Sequence, residues 1–125
     1  MNIPENLKYT KDHEWIKVDG NIGTVGITDY AQGELGDIIY VDVTESGEIK
    51  HGDSCGTIEA VKTVSDIFAP VSGKITEIHT SVNDNPAVLN KDPYGEGWIV
   101  KIQLADPAEL DSLLDSSAYK ELVGA

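Results

Sequence analysis

The chain is 125 residues long, enough for one domain with a core of its own and too short for two. Apolar residues make up 40%, with one Phe and two Trp, so Val, Ile, Leu and Ala must fill the interior, a mix that favours strands. The formal net charge is −13 and all nine basic residues are Lys; with no basic face to neutralise phosphate, nucleic-acid binding is excluded.

The first residues, Met1–Glu5, lack the basic and apolar regions of a secretory signal, and no stretch approaches the roughly 20 apolar residues of a membrane span. A cytoplasmic location is expected, or a mitochondrial matrix one if a transit peptide has been removed. Glu14–Val18 and Ile22–Ile27 flank Asp19-Gly20-Asn21, a turn signal that predicts a hairpin. Thr28 then reads as the N-cap of a short helix through Gln32. In Ile38–Val43, alternation predicts a strand with Ile39, Val41 and Val43 inward and Tyr40 and Asp42 outward.

Turn signals at Ser46-Gly47, His51–Ser54, Pro70–Gly73 and Asn83–Pro86 are so closely spaced that the segments between them read as short strands. Gly97–Ile102 reads as the last of these. Ser46-Gly47-Glu48-Ile49 is echoed by Ser72-Gly73-Lys74-Ile75, as two similar halves related by a pseudo-two-fold would give, although Ser-Gly pairs also recur by chance. Only the C-terminus changes period. Asp106-Pro107-Ala108-Glu109 is a helix start followed by the stripe Leu110, Leu113 and Leu114, and a second helix from Ser117 would lay Tyr119, Leu122 and Val123 on the sheet.

Many short strands, a helical tail and no βαβ alternation predict a β-sandwich or flattened barrel. The lone Cys55 has no internal disulfide partner, and no basic neighbour close in sequence to activate it. His13, His51 and His79 lack metal-ligand spacing, so no metal is assigned.

Thr57–Val61 and Val64–Phe68 are two strand-like runs with the reversal placed at Lys62-Thr63. The turn lacks the Asn-Gly or Asp-Gly that supplies positive φ, which implies a conformational cost at the tip. On the residues alone, Lys62 reads as one solvated lysine among nine, and Glu59 and Asp66 as solvated strand acids. Gly56-Thr-Ile-Glu59-Ala-Val-Lys62-Thr-Val-Ser-Asp66-Ile-Phe-Ala-Pro70-Val-Ser-Gly73, however, resembles the lipoyl-attachment segment of the glycine cleavage system H-protein family. The pattern there is Glu-Ser-Val-Lys, Ser-Asp, then Pro-(Val/Ile)-Ser-Gly; Ala60 departs from it where Ser is usual. Leu7-Lys8-Tyr9, His13-Glu14-Trp15, Gly26–Asp29, Leu35-Gly36, Pro93-Tyr94, Gly97-Trp98 and Glu109-Leu110 extend the resemblance over essentially the whole chain.

The resemblance implies a mainly β, lipoyl-domain-like hammerhead or barrel-sandwich hybrid with short helices, including a C-terminal helical segment. It implies lipoic acid amide-linked to Lys62, with Glu59, Val61 and Asp66 in support. The implied role is a monomeric, non-catalytic carrier. It serves a pyridoxal-phosphate glycine decarboxylase, an aminomethyltransferase and dihydrolipoyl dehydrogenase, and is loaded by a lipoate ligase or a lipoyl or octanoyl transferase. Glu14, helped by Asp66, is implied to line a cleft that shields the aminomethyl amine, although a carboxylate opening a strand is ordinarily solvated. An H-like lipoyl donor in relay to 2-oxoacid dehydrogenases stays open. Lipoyl domains of 2-oxoacid dehydrogenases and biotinyl carriers share the hammerhead logic, but they are shorter and do not account for His13-Glu14-Trp15 or the C-terminal helices. A cofactor-free interaction module would make the Lys62 segment a coincidence.

Overall fold

The computed structural model describes residues 1–43 and 47–124. Two antiparallel sheets form the body. One is ordered β1 (Lys8–Tyr9), β2 (Glu14–Asp19), β3 (Ile22–Ile27), β9 (Val100–Leu104), β8 (Gly73–Ile78) and β5 (Glu48–Ile49); the other is β4 (Ile38–Val43), β6 (Ser54–Ala60) and β7 (Val64–Phe68). The predicted hairpin is present, Asp19 facing Ile22 across Gly20-Asn21, with Gly20 at φ 65°, a conformation in which a side chain would be strained.

Ile16, Val25 and Ile27 meet Val41, Ile58 and Ile67 between the sheets in one apolar core, and Cys55 is buried in it. β2 is buried on both faces over Glu14–Ile16, because Trp15 enters a second cluster with Ile3, Leu7, Tyr9 and Tyr119. The echoed segments lie against one another, Glu48 facing Lys74 and Ile49 facing Gly73. Ser46, and with it half of the predicted Ser46-Gly47 turn, falls outside the described residues.

Thr28 caps α1 (Asp29–Leu35), its hydroxyl accepting from Ala31 N at 3.1 Å. The N-cap signal at Asp106 is also present, but the segment it opens, Pro107–Ser112, is a 3₁₀ helix. Glu109 does not reach back as in a capping box; its carboxylate accepts from Ser72 N at 2.8 Å and Ser72 Oγ at 3.0 Å, pinning the tail to the β7–β8 turn.

Five expectations need correction. β4 carries a bulge between Ile38 and Tyr40, so Ile38 and Val41 point inward while Ile39, expected in the core, is 50% exposed. The chain on either side of Asn83–Pro86 is helical, with a 3₁₀ helix at Thr80–Asp84 running into it and α2 (Val88–Lys91) following it, and β9 begins at Val100 instead of Gly97. The last helix, α3 (Ser116–Val123), starts at an Asp115 cap; it buries Tyr119, but Leu122 stays exposed.

The outer edge of β4 is sealed by two amides. Asn83 Oδ1 accepts from Val41 N and its Nδ2 donates to Val41 O, both at 2.8 Å. Asn90 Oδ1 accepts from Ile38 N at 3.1 Å, and its Nδ2 donates to Gly36 O at 2.8 Å. The Asn83–Pro86 turn signal thus also supplies strand-like hydrogen bonds, a role that its composition does not announce.

Candidate functional site

β6 and β7 pair with Glu59 facing Val64, and Ala60 N donates to Thr63 O at 2.8 Å. This register makes Val61 and Lys62 the two residues of the reversal, one position earlier than Lys62-Thr63. Neither has positive φ; among the described non-glycine residues only His13 does. The conformational cost expected at the tip is therefore not carried by left-handed backbone there.

The tip is braced from outside the hairpin, since Val61 N donates to Asp37 O at 3.0 Å. Lys62 is exposed, and its stem lies across Gly36 at the end of α1. A methyl group at Gly36 would sit 3.2 Å from Lys62 Cε and 3.6 Å from Nζ, and Gly36 adopts φ 77°, ψ −153°, where a side chain would itself be strained. The loop, its glycine and the Asn90 amide form one brace under the lysine.

Glu59 and Asp66 are both exposed; Glu59 faces Tyr40 and Val64 across the sheet, and Asp66 faces Thr57. Glu14 is placed differently. It is 2% exposed, although it opens a strand, and it borders a hollow of about 270 Å³ together with Thr10, Lys11, Asp12, Phe68 and Ser112. Thr10 Oγ1 donates to Glu14 Oε1 at 2.6 Å, and Phe68 N donates to Oε2 at 3.3 Å. Burial pushes the carboxyl pKa up to about 7 against the pull of these two donors. The hollow therefore holds an acid that is half ionised near neutrality. Asp66 is not among the residues bordering it.

Thr10 carries a role the sequence reading missed. Its hydroxyl accepts from Asp12 N and Glu14 N while donating to the Glu14 carboxylate, so it folds the Thr10–Glu14 loop and aims the acid at once. A threonine four residues before an acid is a weak signal for this. His13, inside that loop at φ 71°, is held by Thr28 N donating to its carbonyl and by a 2.9 Å contact between Nδ1 and Tyr119 OH. Tyr119 OH is 2.7 Å from Thr28 Oγ1, which links α3 to the cap of α1.

Cys55 is fully buried, and burial with the nearby Glu14 charge pushes its thiol up to about 12, so the interior presents a protonated, unreactive sulfur. A larger hollow, about 790 Å³, opens at the far edge of the molecule between β5, β8 and β9. Its charged borders, Glu48, Lys50, Asp53 and Lys74, are solvated, and it lies on other strands than the Lys62 tip.

Residues 7–125 match the family model described as Glycine cleavage H-protein. Curated relatives named glycine cleavage system H protein include one from Symbiobacterium thermophilum, 55% identical over 94% of this chain and 93% of its own length. One from Bacteroides fragilis is 52% identical over the full length of both chains. One from Chlorobium limicola is 57% identical over 99% of each. The crystal structure of a glycine cleavage system H protein from Mycobacterium marinum superposes with a TM-score of 0.90 at 41% identity, covering 98% of this chain and all of that one. The fold is accordingly the mainly β, lipoyl-domain-like barrel-sandwich that the resemblance implied. The chain belongs to the glycine cleavage H-protein family.

Proposed function

We propose that this chain is the lipoyl-bearing carrier of a glycine cleavage system, with lipoic acid amide-linked to Lys62 Nζ. The observation that carries the reading is an exposed lysine at the tip of a two-stranded post, braced by Gly36 and Asp37. The residues fit such a group, since the amine is free to be acylated and Lys62 has no ion-pair partner among the described residues. When attached, the group supplies a cyclic disulfide that accepts the aminomethyl unit of glycine and is later regenerated by oxidation of the dithiol.

The chain's own residues supply presentation and shelter. A stiff tip avoids an ordering cost at each encounter with the decarboxylase, the aminomethyltransferase and dihydrolipoyl dehydrogenase. Glu14 offers a carboxylate to a cationic amine inside the hollow, with Thr10 aiming it, and Asp66 lies on the outer face of β7 as a further acid along the route. From Val64 to Phe68 is four residues, roughly 13 Å at strand rise, so a tether on Lys62 must lie back along β7 to bring its end to Glu14. Cys55, buried as a thiol, does not compete in disulfide exchange. We place the carrier in the cytoplasm as a monomer that catalyses no step itself; no described helix is long and apolar enough to cross a membrane.

The test is intact mass and peptide mapping after incubation with a lipoate ligase, lipoate and ATP, followed by glycine–bicarbonate exchange with the decarboxylase. One lipoyl adduct on Lys62 and restored exchange are expected. An adduct on another lysine overturns the site, and a Lys62 adduct without exchange overturns the glycine cleavage role in favour of lipoyl relay.

A further inference from the structure

Six large apolar side chains are exposed among the described residues, and four of them lie on the Lys62 turn or on the sheet that carries it: Val61 (72%), Val64 (63%), Ile39 (50%) and Tyr40 (47%). They are not scattered. Register places Tyr40, Glu59 and Val64 in one cross-strand row on the outer face of the β4–β6–β7 sheet, and Asp42, Thr57 and Asp66 in the next row away from the tip. The row between them, Val41, Ile58 and Ser65, belongs to the inner face, where Val41 and Ile58 are buried. The bulge at Ile38/Tyr40 sets this pattern, turning Ile39 and Tyr40 outward together where regular pleating would bury one of them. The three strands contain three acids and no base.

We infer that this face is the docking surface for the enzyme that acylates Lys62, an apolar contact backed by acids that fits a partner with an apolar recess and a basic rim. The inference rests on the lipoyl reading of Lys62. Acylation forms a C–N bond between Lys62 Nζ and the carboxyl carbon of an acyl-adenylate, breaks the bond to the AMP oxygen and releases the amine's proton. That chemistry must occur at Nζ itself, and the lysine stem spans only about 6 Å, so the mouth of the acylating enzyme has to rest on Val61, Val64 and the row behind them. Apolar area at the centre of an interface with charge at its rim is the usual division between affinity and steering.

The experiment compares the parent chain with Tyr40→Ser/Val64→Thr as substrates of a lipoate ligase supplied with lipoate and ATP, followed by intact mass. The KM for the double variant should rise at least tenfold with kcat within twofold, while acetylation of Lys62 by N-hydroxysuccinimidyl acetate keeps its rate. If that variant melts more than 10 °C below the parent, the exposed Asp42→Lys carries the test, with a KM increase that fades as salt is added. A KM within twofold of the parent overturns the docking surface, as does equal slowing of chemical acetylation. Normal ligation with impaired glycine–bicarbonate exchange assigns the face to the decarboxylase and likewise overturns the inference. A parent chain that is never acylated at Lys62 fails at the first step and removes the lipoyl reading, which separates the two failures.

Discussion

Glu14 is the residue whose environment departs furthest from what its neighbours in sequence suggest. Its carboxyl titrates near 7 in the fold against an ordinary value of 4.5, because burial disfavours the charge. The folded chain therefore binds this proton more tightly than the unfolded one. Stability from it is complete below pH 4.5 and is lost as pH rises to about 7, a cost on the order of 3 kcal/mol. In urea denaturation, Glu14→Gln should gain stability relative to the parent between pH 4.5 and 7, with a constant difference above 8; a flat difference would place the acid in water. Thr10→Val removes the 2.6 Å donor to Oε1. A hydrogen bond to a charged group is worth roughly 1.5–3 kcal/mol, so the Glu14 midpoint should rise by about one unit or more, read from the side-chain carboxyl carbon by NMR. None of this was legible in His13-Glu14-Trp15 without the family resemblance. Burial of Glu14 depends on Phe68, 54 positions away, donating into it, and on the first half of β2 being covered on both faces.

Elements defined by short-range chemistry were legible, and those defined by distant contacts were not. The Gly20 hairpin, the Thr28 cap and the Asp106 cap follow from local hydrogen bonding and backbone freedom, and all three stand in the structure. The β4 bulge, by contrast, leaves no mark in Ile38–Val43, whose residues read as an unbroken alternating strand; pairing with β6 decides it. The reversal at Val61-Lys62 is likewise fixed by the register of β6 against β7, with Asp37 holding Val61 N. Helix α3 depends on one buried tyrosine. Tyr119→Phe keeps the ring but removes the contacts to His13 and Thr28, and should lower stability by about 1–2 kcal/mol in urea denaturation. Its amide exchange should rise in α3 and in the first turn of α1 together; exchange confined to α3 would show that the tyrosine does not couple them.

At the scale of the molecule, charge and shape act together. A net charge of −13 surrounds a tip whose own cation is Lys62, and acylation removes that cation. Encounter with basic partner faces should weaken as ions screen the field, so the apparent KM of the decarboxylase for this carrier should rise several-fold between 20 and 200 mM salt. An unmoved KM would dismiss steering. The architecture could be read from strand spacing and the helical tail, whereas the position of the Glu14 hollow relative to Lys62 needed the sheets to be assembled.

The two asparagine amides on β4 have a consequence for the carrier in crowded solution. A protein that displays apolar side chains beside its tip on a three-stranded sheet risks having another copy add to that sheet strand by strand. Asn83 and Asn90 already occupy backbone groups of Ile38 and Val41 through which such ribbon growth would begin. The chain can thus expose a sticky surface to an enzyme while denying its own kind a template for polymerisation along the β4 edge.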